Sequence, residues 1–434
     1  MIVRVMAAAT EFDVSRFGRR KINRLANTNA SERGIGRWAV NRAALGRIAY
    51  AGWLMLGSAS AWAADAVNLP SMGSAERLKS LEDRVGRLEG APAQASISAF
   101  NPAIGMSLDT FYSDVDGDHG FNFRSAELNL EAPVDPFLKA WAVINASSDE
   151  VEVEEAAMET TALAGNVRLT AGRLFASFGR WGHFHDHELA VVERPAALDQ
   201  FLDGETKADG VEVSYLVPTS LYLNAILGAY NKIGAENKRL DTSLHGLGEL
   251  TYLGRLSTSL EMGDNHSIEL GVSTTYTPRR VVQDATATVI TRDDTWRLLG
   301  GIDLVYRYQP VRGGLYRGFV WGTELLYNNE QRFDDTLLPT ERVRAVAGYS
   351  YLELKAGRHW RPGFWVDMTQ NQDDTDQQQR TYTGYLTYTI SEFNRLRAEV
   401  SHVDYRSSGT PDSDRVALQW TVVFGHHLHG FRDR

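Results

Sequence analysis

The sequence predicts an all-β fold, a sixteen-stranded antiparallel transmembrane β-barrel behind a signal peptide and a short periplasmic helix. Three observations lead there. Apolar and polar residues alternate with a period of two from Ile97 onward. The connectors between these runs are short and long by turns. An apolar export segment lies upstream.

The 434 residues contain 38 glycines, 10% aromatics and no cysteine, with a mean hydropathy of −0.30. That mean is too low for a bundle of apolar membrane helices. It suits a barrel, in which one face of each strand meets lipid. Without cysteine there is no disulfide framework, thiol nucleophile or Cys-ligated metal.

Residues 1–63 read as a targeting segment. Ala49 to Leu56 is an apolar core preceded by Arg42 and Arg47, and Ala61-Trp62-Ala63 is an A-x-A cleavage site that predicts a mature start at Ala64. Residues 1–39 are surplus to this signal, and Val40 would begin a compact one, so an over-called start is expected. Residues 1–63 carry ten basic and three acidic side chains, so their removal takes the formal charge from −10 to −17. A chain this acidic disfavours nucleic acid as a partner.

Residues 64–96 hold one helical pattern. Leu78, Leu81, Val85 and Leu88 are spaced 3-4-3, as in an a/d seam. The seam fits a periplasmic coiled coil that trimerises the chain, and equally an amphipathic helix packed on its own barrel. Ala91-Pro92-Ala93 ends it.

The barrel is expected over 97–434. Ile104, Met106 and Leu108 alternate with Gly105, Ser107 and Asp109. Leu270, Val272 and Tyr276 alternate with Glu269, Gly271, Ser273 and Thr275, and Leu418, Trp420 and Phe424 with Ala417, Gln419 and Thr421. A soluble sandwich with one wet face would alternate too. The connectors decide. Seven short turns, such as Pro133 to Pro136 and Ser391 to Asn394, interleave with eight connectors centred on 113–120, 147–150, 175–208, 231–246, 278–294, 330–342, 370–379 and 406–414. An even strand count with long loops on one side is the pattern of bacterial outer-membrane barrels. Only β3 and β4, Phe137 to Thr161, resist a facing assignment, because Glu152, Glu154 and Glu155 do not share one parity.

Elsewhere the register assigns the interior. Glu127, Glu131, Glu212, Glu269, Asp303, Arg307, Glu324, Arg397 and Glu399 fall on the lumen side. Seven of these nine are acidic, so the interior field is expected to favour cations. In the alternative, the charges pair in ladders, Arg307 with Asp303 or Glu324 and Arg397 with Glu399.

The longest connector, 175–208, is expected to fold into the lumen as the constriction, with Gly172-Arg173 and Asp209-Gly210 at its roots. It carries His183, His185 and His187 in alternation, with Asp186 and Glu188 between and beside them. If extended, the chain would turn all three imidazoles to one side. With Asp186 or Glu188 they would make a donor set suited to Zn2+ or another divalent cation. The acidic field would keep them partly protonated. The other reading is that they are neutral hydrogen bonders holding the loop to the wall. His426, His427 and His429 lie past the last strand, a membrane thickness away.

Several motifs together carry a resemblance. They are Phe100-Asn101-Pro102-Ala103-Ile104, Val153-Glu154-Glu155-Ala156, Ala171-Gly172-Arg173, Phe178-Gly179-Arg180 and His183 to His187. Tyr252 to Leu256, Ser391 to Arg397 and Gly425 to His429 add to them. Over nearly all of 97–431 the chain resembles a family of Gram-negative outer-membrane porin-like proteins, similar to phosphate-selective and general porins. Its members are often labelled zinc-regulated TonB-dependent outer-membrane receptors. The resemblance implies a metal link, but the 64–96 stretch is too short for a receptor plug, so energised transport is not implied. What is expected is a passive channel for small hydrophilic solutes that requires no cofactor. It would be exported to the outer membrane by way of periplasmic chaperones and barrel-assembly machinery, and inserted in lipid. An anion porin of phosphate type, with Arg173, Arg180 and Arg194 at the constriction, and a structural or adhesive barrel are the rivals. Barrel enzymes carry Asp/His or Ser/His groups at the rim, and here no nucleophile stands beside His and Asp in the loop.

Overall fold

The computed structural model describes residues 102–425 apart from 234–245, 284–288, 292–294, 315, 334–338, 373 and 408. The export segment 1–63, the seam of Leu78, Leu81, Val85 and Leu88, and His426, His427 and His429 lie outside the described residues.

Sixteen antiparallel strands close into one barrel. The first nine are β1 Ala103–Val115, β2 Asp118–Asp135, β3 Leu138–Ala146, β4 Val151–Thr160, β5 Val167–Phe175, β6 Lys207–Leu216, β7 Tyr222–Tyr230, β8 Thr251–Met262 and β9 His266–Thr277. Two short strands, β10 Val281–Gln283 and β11 Val289–Thr291, pair apart from the barrel. The wall resumes with β12 Arg297–Tyr308, β13 Arg317–Phe333, β14 Pro339–Ala356, β15 Trp360–Gln370, β16 Gln378–Ser391, β17 Asn394–Arg406 and β18 Ser413–Gly425. Closure is between the first and last strands, from Gly105 opposite Gly425 to Val115 opposite Arg415. No strand edge of the barrel is left unpaired, which is what a hydrocarbon environment demands of a spanning sheet.

The alternation has the expected sense. Ser107, Asp109, Ser273, Thr275, Gln419 and Thr421 are buried inward, while Ile104, Leu108, Val272, Tyr276, Leu418 and Trp420 are exposed on the outer band that lipid would cover. One connector is shorter than its polarity suggested. Residues 113–120 are mostly strand around a two-residue turn, in which Asp116 and Gly117 both have positive φ, 54° and 95°.

The strand with unclear facing contains a β-bulge. Across β3 and β4, Val143 is opposite Glu155 but Ile144 is opposite Val153, so Glu154 is the extra residue. A bulge lets two consecutive residues point the same way. Glu154 and Glu155 are both buried inward.

The hydrophobic core lies inside the barrel. Strands β12 to β15 turn Leu299, Leu326, Tyr349, Tyr351 and Trp365 inward, and the β5–β6 connector packs Phe178, Trp181, Leu189, Leu198, Phe201 and Leu202 against them. The same strands also bury Asp303, Glu324 and Asp367, so apolar and polar groups share this part of the interior. Within the connector, α1 (Ala196–Leu202) buries Ala197, Leu198, Phe201 and Leu202 on one face. It ends at Asp203, in the left-handed region. Each large apolar side chain buried this way is worth about 1.5–3 kcal/mol.

Candidate functional site: the luminal loop and its buried carboxylates

The connector leaves the wall at Phe175 and rejoins it at Lys207. Its ends are tied by Ala176 N–H donating to Thr206 O at 2.8 Å, and Thr206 N–H donating to Gly182 O at 2.7 Å. The roots behave differently from each other. Gly172 has φ of 129°, and a Cβ there would sit 2.3 Å from Ala156 O. Gly210 instead makes room for Tyr230 and the β7 backbone. At the outer rim Arg173 grips Asp209 through two hydrogen bonds, 2.7 and 2.9 Å.

From these roots the loop crosses the lumen and bonds to the wall at widely separated strands. On the β9 side Arg180 pairs with Glu269 at 2.7 Å, and the Arg180 backbone N–H donates to Glu324 at 3.1 Å. Ser177 N–H donates to Glu212 at 3.3 Å. On β15, Asp367 accepts the Ala197 N–H at 3.0 Å, at the start of α1. On β17, Glu399 accepts the Val192 N–H at 2.6 Å, Arg397 donates to Leu189 O at 2.7 Å, and Arg395 donates to His187 O. Trp181 meets Tyr351 and Trp365 edge to face, each at 5.2 Å between ring centroids.

Six of the nine lumen charges expected from the sequence thus hold the loop: Glu127, Glu212, Glu269, Glu324, Arg397 and Glu399. Of the rest, Asp303 pairs with Arg255 at 2.7 Å, Arg307 with Glu269 at 2.5 Å, and Glu131 lies 3.8 Å from Lys139. Arg307 bonds to Glu269, while Arg397 bonds to Gln419, Thr387 and Leu189. Sequence reading missed Arg297 and Arg395, which share inward parity with Asp303 and Arg397, and Arg255, on a strand where no lumen residue was assigned. Arg173, Arg180 and Arg194 are all salt-bridged.

The histidines do not converge as a trio. Residues Asp186–Glu188 form a 3-10 turn, which breaks the extended alternation that would have lined them up. His183 stacks on Phe184, 4.9 Å between centroids. Asp186 pairs with Arg194 at 2.7 Å, and Glu188 accepts the His185 N–H at 3.1 Å. His185 instead enters a buried carboxylate cluster. Its Nδ1 lies 2.8 Å from Glu154 Oε2 and 3.6 Å from Glu127 Oε2, and its Nε2 lies 3.1 Å from Glu155 Oε1. His187 Nδ1 holds the other Glu127 oxygen at 2.9 Å.

The two buried imidazoles are driven in opposite directions. Burial pulls His185 down, but the Glu127 charge and hydrogen bonds to Glu154 and Glu155 hold it well above its ordinary value. Burial drives His187 down to about 4, opposed by Glu188 and reinforced by His185. The two imidazoles therefore do not behave alike, and the low value favours the neutral form of His187 beside Glu127.

Next to this cluster a polar vestibule of about 690 Å3 is bounded by Glu150, Glu152, Glu154, Asp186, Glu193, Asp199, Asp203 and Glu205, with Arg124, Arg194 and Lys207 as its cations. Eight carboxylates face three cationic groups there. Glu154 belongs to both the vestibule and the cluster, so the two are contiguous.

No family model matches the chain. A protein of Aquifex aeolicus (strain VF5), described as uncharacterized, is 26% identical over 340 residues, 73% of this chain and 71% of its own length. Among solved structures, the high-pH form of Pseudomonas putida OprB superposes with a TM-score of 0.52 at 9% identity, over 78% of this chain and 97% of that one. The outer membrane channel DcaP of Acinetobacter baumannii gives 0.51 at 11% identity, over 76% and 99%. The fold is that of outer-membrane channels.

Proposed function

We propose that the chain is an outer-membrane channel of general porin type for small hydrophilic solutes, with the 176–206 loop as its selectivity element. The observation that carries this is a closed sixteen-stranded barrel whose longest described connector folds into the lumen beside an acidic vestibule. The eight-to-three excess of carboxylates at its edge supports a preference for cations, since a low-dielectric cleft of one sign concentrates counter-ions. Several of these carboxylates pair, Asp186 and Glu205 with Arg194, Glu152 with Lys207 and Glu193 with Arg415, and the excess is what remains beyond those cations. Chain insertion would follow the general outer-membrane route, with lipid covering the outer band.

The test is single-channel conductance of the purified chain in planar bilayers, with reversal potentials in a KCl gradient. A cation-selective reversal potential is expected. Chloride or phosphate preference would move the reading to an anion porin. The loop's bonds to separated strands favour a second reading, a closed structural or adhesive barrel, and absence of any conductance would support it. Assembly as a homotrimer through 64–92 belongs to the same proposal, and deleting that stretch should abolish any heat-resistant trimer on a gel while the barrel still inserts.

A further inference from the structure

We propose that Glu127, Glu154 and His185 form a site for one divalent transition-metal ion, loaded from the vestibule. The donor atoms, one from each residue, lie within 4.8 Å of one another and all three residues are buried. In a tetrahedral site with metal–ligand bonds of 2.0–2.2 Å, neighbouring donors stand about 3.4 Å apart. The His185 Nδ1 separations of 2.8 Å to Glu154 and 3.6 Å to Glu127 bracket that distance. The third separation, between the two carboxylates, lies within 4.8 Å, so an ion would draw the donors into place by side-chain adjustment.

A buried carboxylate cluster alone would not point to a metal. Two further features do. Glu127 Oε2 is buried and accepts no hydrogen bond, although it is turned toward His185. And each donor residue has its other polar atom fixed by a partner. His185 Nε2 is held by Glu155, which also accepts the Trp141 indole N–H at 2.8 Å. His187 holds Glu127 Oε1, and Asn145 donates to Glu154 Oε1 at 2.6 Å. Outer partners of this kind orient ligating imidazoles and carboxylates and raise their basicity.

The β-bulge at Glu154 is what brings two successive β4 side chains to the site, one as ligand and one as outer partner. Charge points the same way. Three buried glutamates crowd His185, an excess of negative charge that a divalent cation would largely offset. One nitrogen and two carboxylate oxygens suit Zn2+ and its neighbours, whereas Mg2+ prefers an all-oxygen, largely hydrated shell. The site does not depend on whether the barrel conducts.

The test uses chelator-cleared full-length protein with His426, His427 and His429 changed to alanine, so that the C-terminal histidines contribute nothing. Calorimetric titration with ZnCl2 should give one saturable site, and MgCl2 should not compete. Glu127→Gln and Glu154→Gln, close in shape to the parent side chains, should each weaken Zn2+ at least tenfold. His187→Ala, which removes a positioning residue, should weaken it about 10–100-fold. X-ray absorption of the Zn2+-loaded parent should show one imidazole among oxygen donors, a readout that stands even where a variant does not insert. No saturable binding, affinity unchanged in both glutamine variants, equal competition by Mg2+, or a zinc shell without imidazole would each overturn the proposal. The cluster would then be an imidazolium held by carboxylates.

Discussion

His185 Nδ1 sits 2.8 Å from Glu154 Oε2, and this contact joins the tip of the luminal loop to the one bulged residue of β4. Both side chains are buried, so neither can recover the interaction from water. Removing one partner of such a pair leaves the other uncompensated, at about 3–5 kcal/mol. His185→Ala should therefore undock the loop without opening the barrel, whose hydrogen bonds close through other residues. Hydrogen exchange should rise across 176–206 and stay low in β8 to β18. Equal protection in parent and variant would mean that the apolar anchors alone hold the loop.

Those anchors make a separate prediction. Trp181 is fully buried and packs edge-on against Tyr351 and Trp365. Truncating a buried tryptophan typically costs about 3–5 kcal/mol. Trp181→Ala is expected to free the inner half of the loop and increase single-channel conductance, while the heat-modifiable barrel band persists on a gel. Conductance equal to the parent's would show that solutes pass elsewhere along the wall.

How much of this was legible beforehand depends on period and on distance along the chain. Strand number and turn sides followed from connector order, and Ser107, Asp109, Ser273 and Gln419 face inward as alternation required. Alternation is a local signal, and it failed only where local geometry changes. The bulge at Glu154 is a one-residue slip, visible in sequence solely as the broken parity of Glu152, Glu154 and Glu155. The turn at Asp186–Glu188 was not visible at all, so His183 was grouped with His185 and His187. Which wall residues receive the loop was beyond reach for another reason. Arg180 meets Glu269, and Val192 meets Glu399, across 89 and 207 positions, and no periodicity relates them.

Gly172 tests the seam beside the loop. Pairing of β4 with β5 runs only from Ala156 opposite Arg173 to Glu159 opposite Thr170. At φ of 129° Gly172 lets the Ala156 carbonyl come close. A side chain there meets both a disfavoured backbone region and a 2.3 Å clash, and backbone strain alone costs about 1–3 kcal/mol. Gly172→Ala should lower the urea midpoint of the inserted barrel, whereas Gly117→Ala, with open space around its Cβ position, should cost less. The reverse order would show that the β4–β5 seam is not a weak point.

Asp199 gives the vestibule a titration near neutrality. It is solvent-exposed at the vestibule's edge, where the loop crowded around it still costs its charge some hydration. That loss pushes its carboxyl up to about 7; Arg194 opposes the shift, while Asp186, Glu193 and Asp203 add to it. The sign follows from linkage. A carboxyl whose folded pKa is raised binds its proton more tightly in the docked loop than in the free one. Docking is thus favoured below the ordinary carboxylate range and weakens as pH rises toward 7, then levels off. Over the same interval the vestibule gains a negative charge, so cation preference should increase from pH 6 to pH 8. Reversal potentials in a KCl gradient should shift with a midpoint near 7 in the parent and flatten in Asp199→Asn. A parent profile already flat across that range would mean either that Asp199 is ionised throughout or that permeating ions do not pass it. Asp199→Lys separates these, since it moves the reversal potential only if ions pass that position.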